Sequence, residues 1–234
     1  MQSKPRLLAS LDIVCILLFA SATFMVFFYA PLEVVMGMVQ KVFYFHVASL
    51  WVGMLGFLVG GISGVIFLRT GNHHWDIVGL AAIEISLVFF FIGIVTGSIW
   101  ARSTWNTWWT WDPRLTSAAI VELIYAAYFI LRGGIDEPVR RARYGAIYAI
   151  LGFVSVPLTF FSIRLFRTIH PVVIGNVNAG SQGTFNMAPM MLQTFIFSLF
   201  VFTILFADLL WHRIRLGQLA EDVEQRKLDA FHSQ

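Results

Sequence analysis

The amino-acid sequence predicts an all-α integral membrane protein with six transmembrane helices, and three observations support this fold class. Of the 234 residues, 58% are hydrophobic and only 12% are charged, whereas soluble domains average about 25% charged residues. The mean hydropathy is +0.76. Apolar runs long enough to cross a bilayer recur along the chain. Together these observations exclude an ordinary water-soluble enzyme.

The apolar runs divide the chain into six predicted spans of about twenty residues each. They lie at about residues 8–30, 42–68, 77–99, 115–131, 144–163 and 189–211. The first run follows Lys4 and Arg6 as a signal peptide would, but its apolar core is as long as a full span and no A-x-A-like cleavage site ends it. We therefore expect one membrane domain over residues 1–212 and a charged C-terminal tail over 213–234, which forms a helix or a tail rather than a domain.

The distribution of basic residues predicts that both termini are cytoplasmic. In an N-in, C-in topology, eleven of the sixteen Lys and Arg residues lie on the cytoplasmic side, as the positive-inside rule requires. The other five lie on the outer side: Lys41, Arg102, Arg114, Arg164 and Arg167. The two longest loops, 100–114 and 164–188, also open on the outer side. Because loops commonly carry function, we expect the functional face to be extracytoplasmic.

The loop after the third span is unusually rich in tryptophan. Five of the eight tryptophans lie in the segment WARSTWNTWWTWDPRLT (100–116): Trp100, Trp105, Trp108, Trp109 and Trp111. An aromatic belt at the membrane surface is the simpler explanation, but a belt usually contributes only about one or two tryptophans per helix end. If the loop is helical, Trp105, Trp108 and Trp109 share a face and form one flat apolar plate. Such a plate suits a large planar ligand, and a tetrapyrrole fits best.

The run TWNTWWTWDPRLT resembles the WWD signature of the haem-handling membrane proteins of cytochrome c biogenesis. The six-span layout and the chain length resemble the CcmC family in particular, and the resemblance covers nearly the whole chain. Ala101 departs from the pattern, since glycine is expected after the leading tryptophan. The resemblance implies that haem lies against the WWD platform formed by the five tryptophans and Asp112, which completes the signature.

Only two of the six histidines share the tryptophan side in the predicted topology. His46 lies in the outer third of the second span and His170 in the outer loop after the fifth span. A single membrane histidine is as often a hydrogen-bonded packing residue as a ligand, but two neutral imidazoles approaching from opposite faces are a known way to hold haem iron. The resemblance implies the same role, because CcmC-like proteins carry one essential histidine before and one after the tryptophan segment. His46 in FYFHVASLW and His170 in TIHPVV match those positions.

The two propionates of haem need cationic or hydrogen-bonding partners in a partly buried pocket. Four arginines on the outer side are candidates: Arg114, Arg102, Arg164 and Arg167. Snorkelling toward lipid headgroups explains at least two of them, and we favour Arg114 for the propionates. Asp112 either orients Arg114 or a tryptophan N–H, or ends a helix before Pro113.

Two acidic residues lie inside predicted spans, where a charge is costly. Glu84 and Glu122 are open to two interpretations, a proton relay or ordinary hydrogen bonds between helices. We favour the second, because no chain of such residues is visible along the spans.

The absence of several motifs from the sequence excludes some classes of protein. The chain has no CxxCH motif for covalent haem, and its single cysteine, Cys15, allows no internal disulfide and no cysteine zinc site. None of the three lysines follows a glycine, so there is no nucleotide-binding P-loop. If transport is energised, ATP must be split by a separate partner.

The sequence therefore predicts a haem-presentation subunit of a bacterial inner (cytoplasmic) membrane, working at the periplasmic face, rather than an enzyme. It would hold haem b transiently through His46 and His170. The resemblance implies the partners: the haem chaperone CcmE, the ABC transporter subunits CcmA and CcmB, and the small membrane subunit CcmD. Two alternatives stay open, a haem transporter across the membrane and a bis-histidine haem b redox protein.

Overall fold

A computed structural model describes residues 4–34, 36–166, 168–170 and 187–232. The described residues form six α-helices and no β-strand. The helices are α1 (Arg6–Phe24), α2 (Gln40–Thr70), α3 (His74–Trp105), α4 (Pro113–Gly133), α5 (Pro138–Leu165) and α6 (Pro189–His232), with a π-helical turn at Met25–Tyr29 extending α1. Each of the six is long and apolar enough to cross a membrane, so the predicted fold class is confirmed.

The helices begin and end where capping chemistry allows. Asp112 caps the N-terminus of α4 and Glu137 caps that of α5, and a proline follows each cap at the first helical position. At its other end α2 stops at Gly71, which adopts the left-handed conformation that glycine tolerates best.

Two helices run well past the predicted spans. α3 continues through Trp100 to Trp105 instead of ending at residue 99, so the first part of the tryptophan segment is helical. α6 passes residue 212 without interruption and reaches His232. The charged C-terminal segment, for which a helix or a tail was expected, therefore continues the sixth helix and is mostly exposed beyond Gly217.

α2 is central in the bundle and packs most closely against α3. The close approach depends on small residues, because a Cβ on Gly56 of α2 would lie 1.9 Å from the Ser86 hydroxyl of α3. The aromatic core nearby includes Phe57 and Tyr125, whose rings stack at a centroid distance of 3.6 Å. The Phe57–Tyr125 stack thus connects α4 to α2, which is itself packed closely against α3.

Ion pairs between arginine and acidic side chains connect the helices at the end of the bundle opposite the tryptophans. Arg132 of α4 forms two hydrogen bonds with Asp76 of α3, at 2.6 and 2.9 Å. Arg213 of α6 pairs with Glu84 of α3. Glu84 thus has the interhelical partner that we favoured. Glu122 differs, since its Oε2 is buried and accepts no hydrogen bond from the residues that the structure describes.

Candidate functional site

The tryptophan segment is half helix and half loop. α3 ends at Trp105, and Asn106 takes the left-handed conformation with φ of 56°. Arg102 donates to the Asn106 carbonyl and side-chain oxygen, at 2.6 and 2.7 Å. Residues 106–112 are not helical. Arg102 therefore closes the end of α3 from an exposed position and is absent from the lining of the cavity described below.

The expectation of a flat plate of indoles is wrong, because residues 106–112, which would have had to be helical to align them, form a loop. Trp100 and Trp105 meet nearly at right angles, with an interplanar angle of 87° and a centroid distance of 5.2 Å. Trp109 and Trp111 pair in the same way at 79°. In both pairs the indoles meet edge to face, as their quadrupoles favour, and do not form one flat surface.

Exposure separates the five tryptophans into two groups. Trp100 is only 8% exposed, and Trp105 and Trp109 are half-buried. Trp108 and Trp111 are 59% and 78% exposed and lie on the surface. The first three line a cavity, and the other two stand outside it.

The cavity lies at the tryptophan end of the bundle, between α2, α3 and α4, and has a volume of about 60 Å³. Its chemically active lining residues come from five parts of the chain, namely α2, α3, the loop after α3, α4 and the segment after α5: His46, Trp100, Trp105, Trp109, Arg114 and His170. Leu50, Ile94 and Ala118 contribute apolar side chains to the lining. The structure thus brings both predicted histidines and one predicted arginine to one place.

His46 is held in a defined orientation on α2. Its Nδ1 lies 2.8 Å from the Gly93 carbonyl of α3. Because a carbonyl oxygen only accepts, Nδ1 carries the proton, and Nε2 is left with its lone pair. The ring lies against Gly97, where an added Cβ would come within 2.7 Å of the ring carbon Cε1. A metal-binding histidine commonly donates from its second ring nitrogen to a carbonyl in the same way.

His170 reaches the cavity from the segment after α5. Its ring is 6.5 Å from that of Trp105, at an interplanar angle of 63°. The segment is tied to the tryptophan loop, because Asp112 accepts hydrogen bonds from the Thr168 hydroxyl and from the Ile169 amide, the latter at 3.2 Å. Asp112 thus does more than begin α4, since it also anchors the segment that carries His170.

Arg114 is the predicted arginine that enters the cavity. It donates from Nη1 to the Thr159 carbonyl of α5 at 2.6 Å, which fixes its side chain across the α4–α5 contact. The other two candidates remain predictions. The side chain of Arg164 and the whole of Arg167 lie outside the described residues.

Two buried donors in the site have no hydrogen-bond partner in the part of the chain that the structure describes. They are the indole N–H groups of Trp100 and Trp109. A buried donor that is left unpaired costs free energy, so such groups are suited to an acceptor that enters the site. Gly93, Gly97 and Thr168, which contact the two histidines, were not predicted from the sequence. The i, i+4 glycine pair in α3 was the available signal for a close helix contact.

The fold and this site define a class: a membrane protein whose described residues form six spanning helices, with an aromatic cavity at one end that two histidines and an arginine line. The sequence profile of the "Heme exporter protein C" family (CcmC) matches residues 1–229. The chain therefore belongs to the CcmC family, and with it to a system that handles haem in cytochrome c maturation.

Individual relatives agree with this assignment. The chain is 29% identical over 197 residues to heme exporter protein C of Bradyrhizobium diazoefficiens, covering 82% of this chain and 75% of the relative. It is 29% identical to the Escherichia coli K12 protein of the same name, over 81% of this chain and 74% of the relative. A ccmC-like mitochondrial protein of cytochrome c biosynthesis from Marchantia polymorpha is 30% identical over 67% of this chain and 66% of the relative.

Proposed function

We propose that this chain binds haem b transiently at the tryptophan end of the bundle, with His46 and His170 as the axial ligands of the iron. One observation carries the proposal: two histidines that are far apart in sequence line the same cavity, between indole walls. The proton on Nδ1 of His46 supports it further, because the unprotonated Nε2 is the nitrogen that can bind iron.

The residues of the site fit the chemistry of haem. Neutral imidazoles are common iron ligands, and stacked or tilted indoles bury wide apolar faces. Arg114 and the N–H groups of Trp100 and Trp109, which have no partner among the described residues, offer charge and hydrogen bonds to propionates. Bound haem would supply an iron centre and a reactive porphyrin edge, while the chain binds and orients it.

The cavity volume of about 60 Å³ is far below the roughly 300–1,000 Å³ of pockets that enclose a ligand. We therefore propose that haem is held at the cavity mouth and is not fully enclosed. This suits a subunit that hands its ligand on. The exposed Trp108 and Trp111 provide an apolar surface beside the site on which a receiving protein can dock.

The receiving protein in this proposal is a CcmE-like haem chaperone at the periplasmic face of a bacterial inner membrane. An ABC transporter formed by CcmA and CcmB and the small subunit CcmD complete the proposed assembly. The chain itself carries no P-loop, so ATP hydrolysis belongs to the transporter.

The experiment is a haem titration of the detergent-purified protein, followed by optical spectroscopy and pyridine haemochrome quantitation. We expect a low-spin bis-histidine spectrum for the parent protein. His46→Ala and His170→Ala should each abolish it and raise the haem dissociation constant by at least about tenfold. His74→Ala is the matched control, since His74 is exposed at the opposite end of the bundle. Parent-like haem binding by both cavity variants, each eluting as a monodisperse protein, would refute the ligand assignment.

A further inference from the structure

The carboxylate of Asp112 joins two parts of the site. Its Oδ1 accepts from the Leu115 amide at 2.9 Å and caps α4. Its Oδ2 accepts from the Thr168 hydroxyl and from the Ile169 amide. One carboxylate thus links the tryptophan loop with the segment that carries His170, across 56 positions of sequence.

Thr168 passes this connection on to the histidine. It is only 5% exposed. Its hydroxyl donates to Asp112 and, through the same oxygen, accepts from the backbone amide of His170 at 3.1 Å. The hydroxyl therefore uses its donor and one acceptor position at once, and the order Asp112, Thr168, His170 runs from the helix cap to the proposed ligand.

The two hydrogen bonds of the Thr168 hydroxyl differ in strength. Hydrogen bonds to a carboxylate are stronger than those between neutral groups, so the Asp112–Thr168 contact is the firmer of the two. Valine has the shape of threonine but neither donor nor acceptor. Its introduction would therefore leave the Asp112 oxygen and the His170 amide each without this partner, in a buried place.

We propose that Thr168 is a positioning residue: it fixes the backbone of His170 relative to the tryptophan loop, so that the imidazole is presented to a haem lying against the indoles. This inference rests on the ligand role proposed above for His170. It assigns to Asp112 a function in haem binding that needs no contact between its carboxylate and haem, because Asp112 acts through Thr168.

Four variants of the full chain test the proposal. Thr168→Val removes the hydroxyl, whereas Thr168→Ser keeps the hydroxyl and removes the methyl group. Asp112→Asn keeps an oxygen that can cap α4 but replaces the other acceptor by a donor. Thr194→Val is the matched control, since Thr194 is also buried and, among the described residues, its hydroxyl bonds to the Met190 carbonyl of its own helix alone.

The first readout is the haem-free protein. Hydrogen exchange followed by mass spectrometry should show the amide of His170, which donates to the Thr168 hydroxyl, exchanging about fivefold faster in Thr168→Val, as expected for the loss of one hydrogen bond. Thr168→Ser and Thr194→Val should match the parent. Unchanged exchange in Thr168→Val would overturn the proposal, whatever happens to haem.

The second readout is the spectrum of bound haem. Thr168→Val should retain haem through His46 but lose most of the low-spin signal, with a dissociation constant raised about tenfold. Because both residues act through one connection, Asp112→Asn combined with Thr168→Val should weaken binding little more than either alone. Additive effects of the two changes would contradict the coupling.

The two proposals fail differently. If His170→Ala leaves the low-spin spectrum intact, the ligand role is wrong and the positioning role falls with it. If His170→Ala abolishes that spectrum but Thr168→Val leaves it unchanged, His170 is a ligand and only the inference about Thr168 is wrong. A global folding defect is recognised by a melting temperature that is lowered in Thr168→Val and in Thr168→Ser alike.

Discussion

At the scale of single residues, small backbone features decide what the histidine on α2 can do. The Gly93 carbonyl selects the Nδ1 tautomer of His46, at a distance of 2.8 Å. Gly97, one helical turn later on α3, leaves the space that the imidazole ring occupies. Neither glycine bears a functional group, yet together they set the direction of the proposed iron ligand.

Gly97→Ala should therefore reduce haem binding. The new Cβ would lie 2.7 Å from Cε1 of His46, closer than carbon atoms approach without displacement, so the ring must turn away from its position. We expect the haem dissociation constant to rise about tenfold, as for other changes that disturb the orientation of a ligand. Haem titration of the purified variant measures this.

Gly133→Ala is the control, because a methyl group added to Gly133 at the end of α4 would have no other atom within 4 Å. It should bind haem like the parent. Equal haem affinity in Gly97→Ala and Gly133→Ala would mean that the ring of His46 is not constrained from this side.

At the scale of elements, α4 is tied at both ends by side chains that reach other parts of the chain. Near the tryptophan end, Asp112 holds the segment that carries His170. At the other end, Arg132 pairs with Asp76 of α3, and both side chains are only 9% exposed. α4 carries Arg114 into the cavity, so its placement matters for the site as well as for the fold.

Arg132→Met should destabilise the bundle. The substitution leaves the Asp76 carboxylate buried without its bidentate partner, and such losses cost about 3–5 kcal/mol. We expect a clearly lower melting temperature in detergent, measured by tryptophan fluorescence. Lys227→Met is the control: its ion pair with Glu224 is between side chains that are 69% and 66% exposed, so it should have no measurable effect.

Asp76→Asn combined with Arg132→Met should be less destabilised than the sum of the single variants, because the double variant buries no unpaired charge. A melting temperature for Arg132→Met equal to that of the parent would show that the buried pair does not hold α3 and α4 together.

At the scale of the whole molecule, the features tied to haem gather at one end of the bundle and the interhelical ion pairs at the other. The described ion pairs Arg132–Asp76 and Arg213–Glu84 lie opposite the tryptophan cavity. The basic residues predict that the ion-paired end is cytoplasmic. In this predicted orientation the cavity faces the outer side, where the proposed chaperone can reach it.

This orientation can be measured by cysteine labelling in intact cells. The native Cys15 is buried and is removed first by Cys15→Ser. Into that background one introduces either Thr107→Cys, in the tryptophan loop, or Gly134→Cys, in the turn after α4. A membrane-impermeant maleimide should label the first from outside and the second only after lysis. The reverse pattern would place the haem site on the cytoplasmic side.

Much of this architecture follows from the sequence. Hydropathy predicted the six spans, and the motif around Trp111 and Asp112 indicated the family. The pairing of His46 with His170 on one side was also predicted, and the cavity that both line agrees with it. The plate of indoles was not predictable, because whether the chain beyond Trp105 continues as a helix depends on the turn at Asn106.

The number of spans, the family and the residue types that meet at one end of the protein can all be read from the chain itself. The packing of the helices was needed to learn which indoles wall the cavity, that Arg114 enters it while Arg102 caps a helix, and that Thr168 connects Asp112 with His170. These two kinds of information differ in the sequence separation of the residues involved, because hydropathy and motifs are properties of neighbouring residues. The contact from His46 to Gly93 spans 47 positions, and such contacts depend on how whole helices pack.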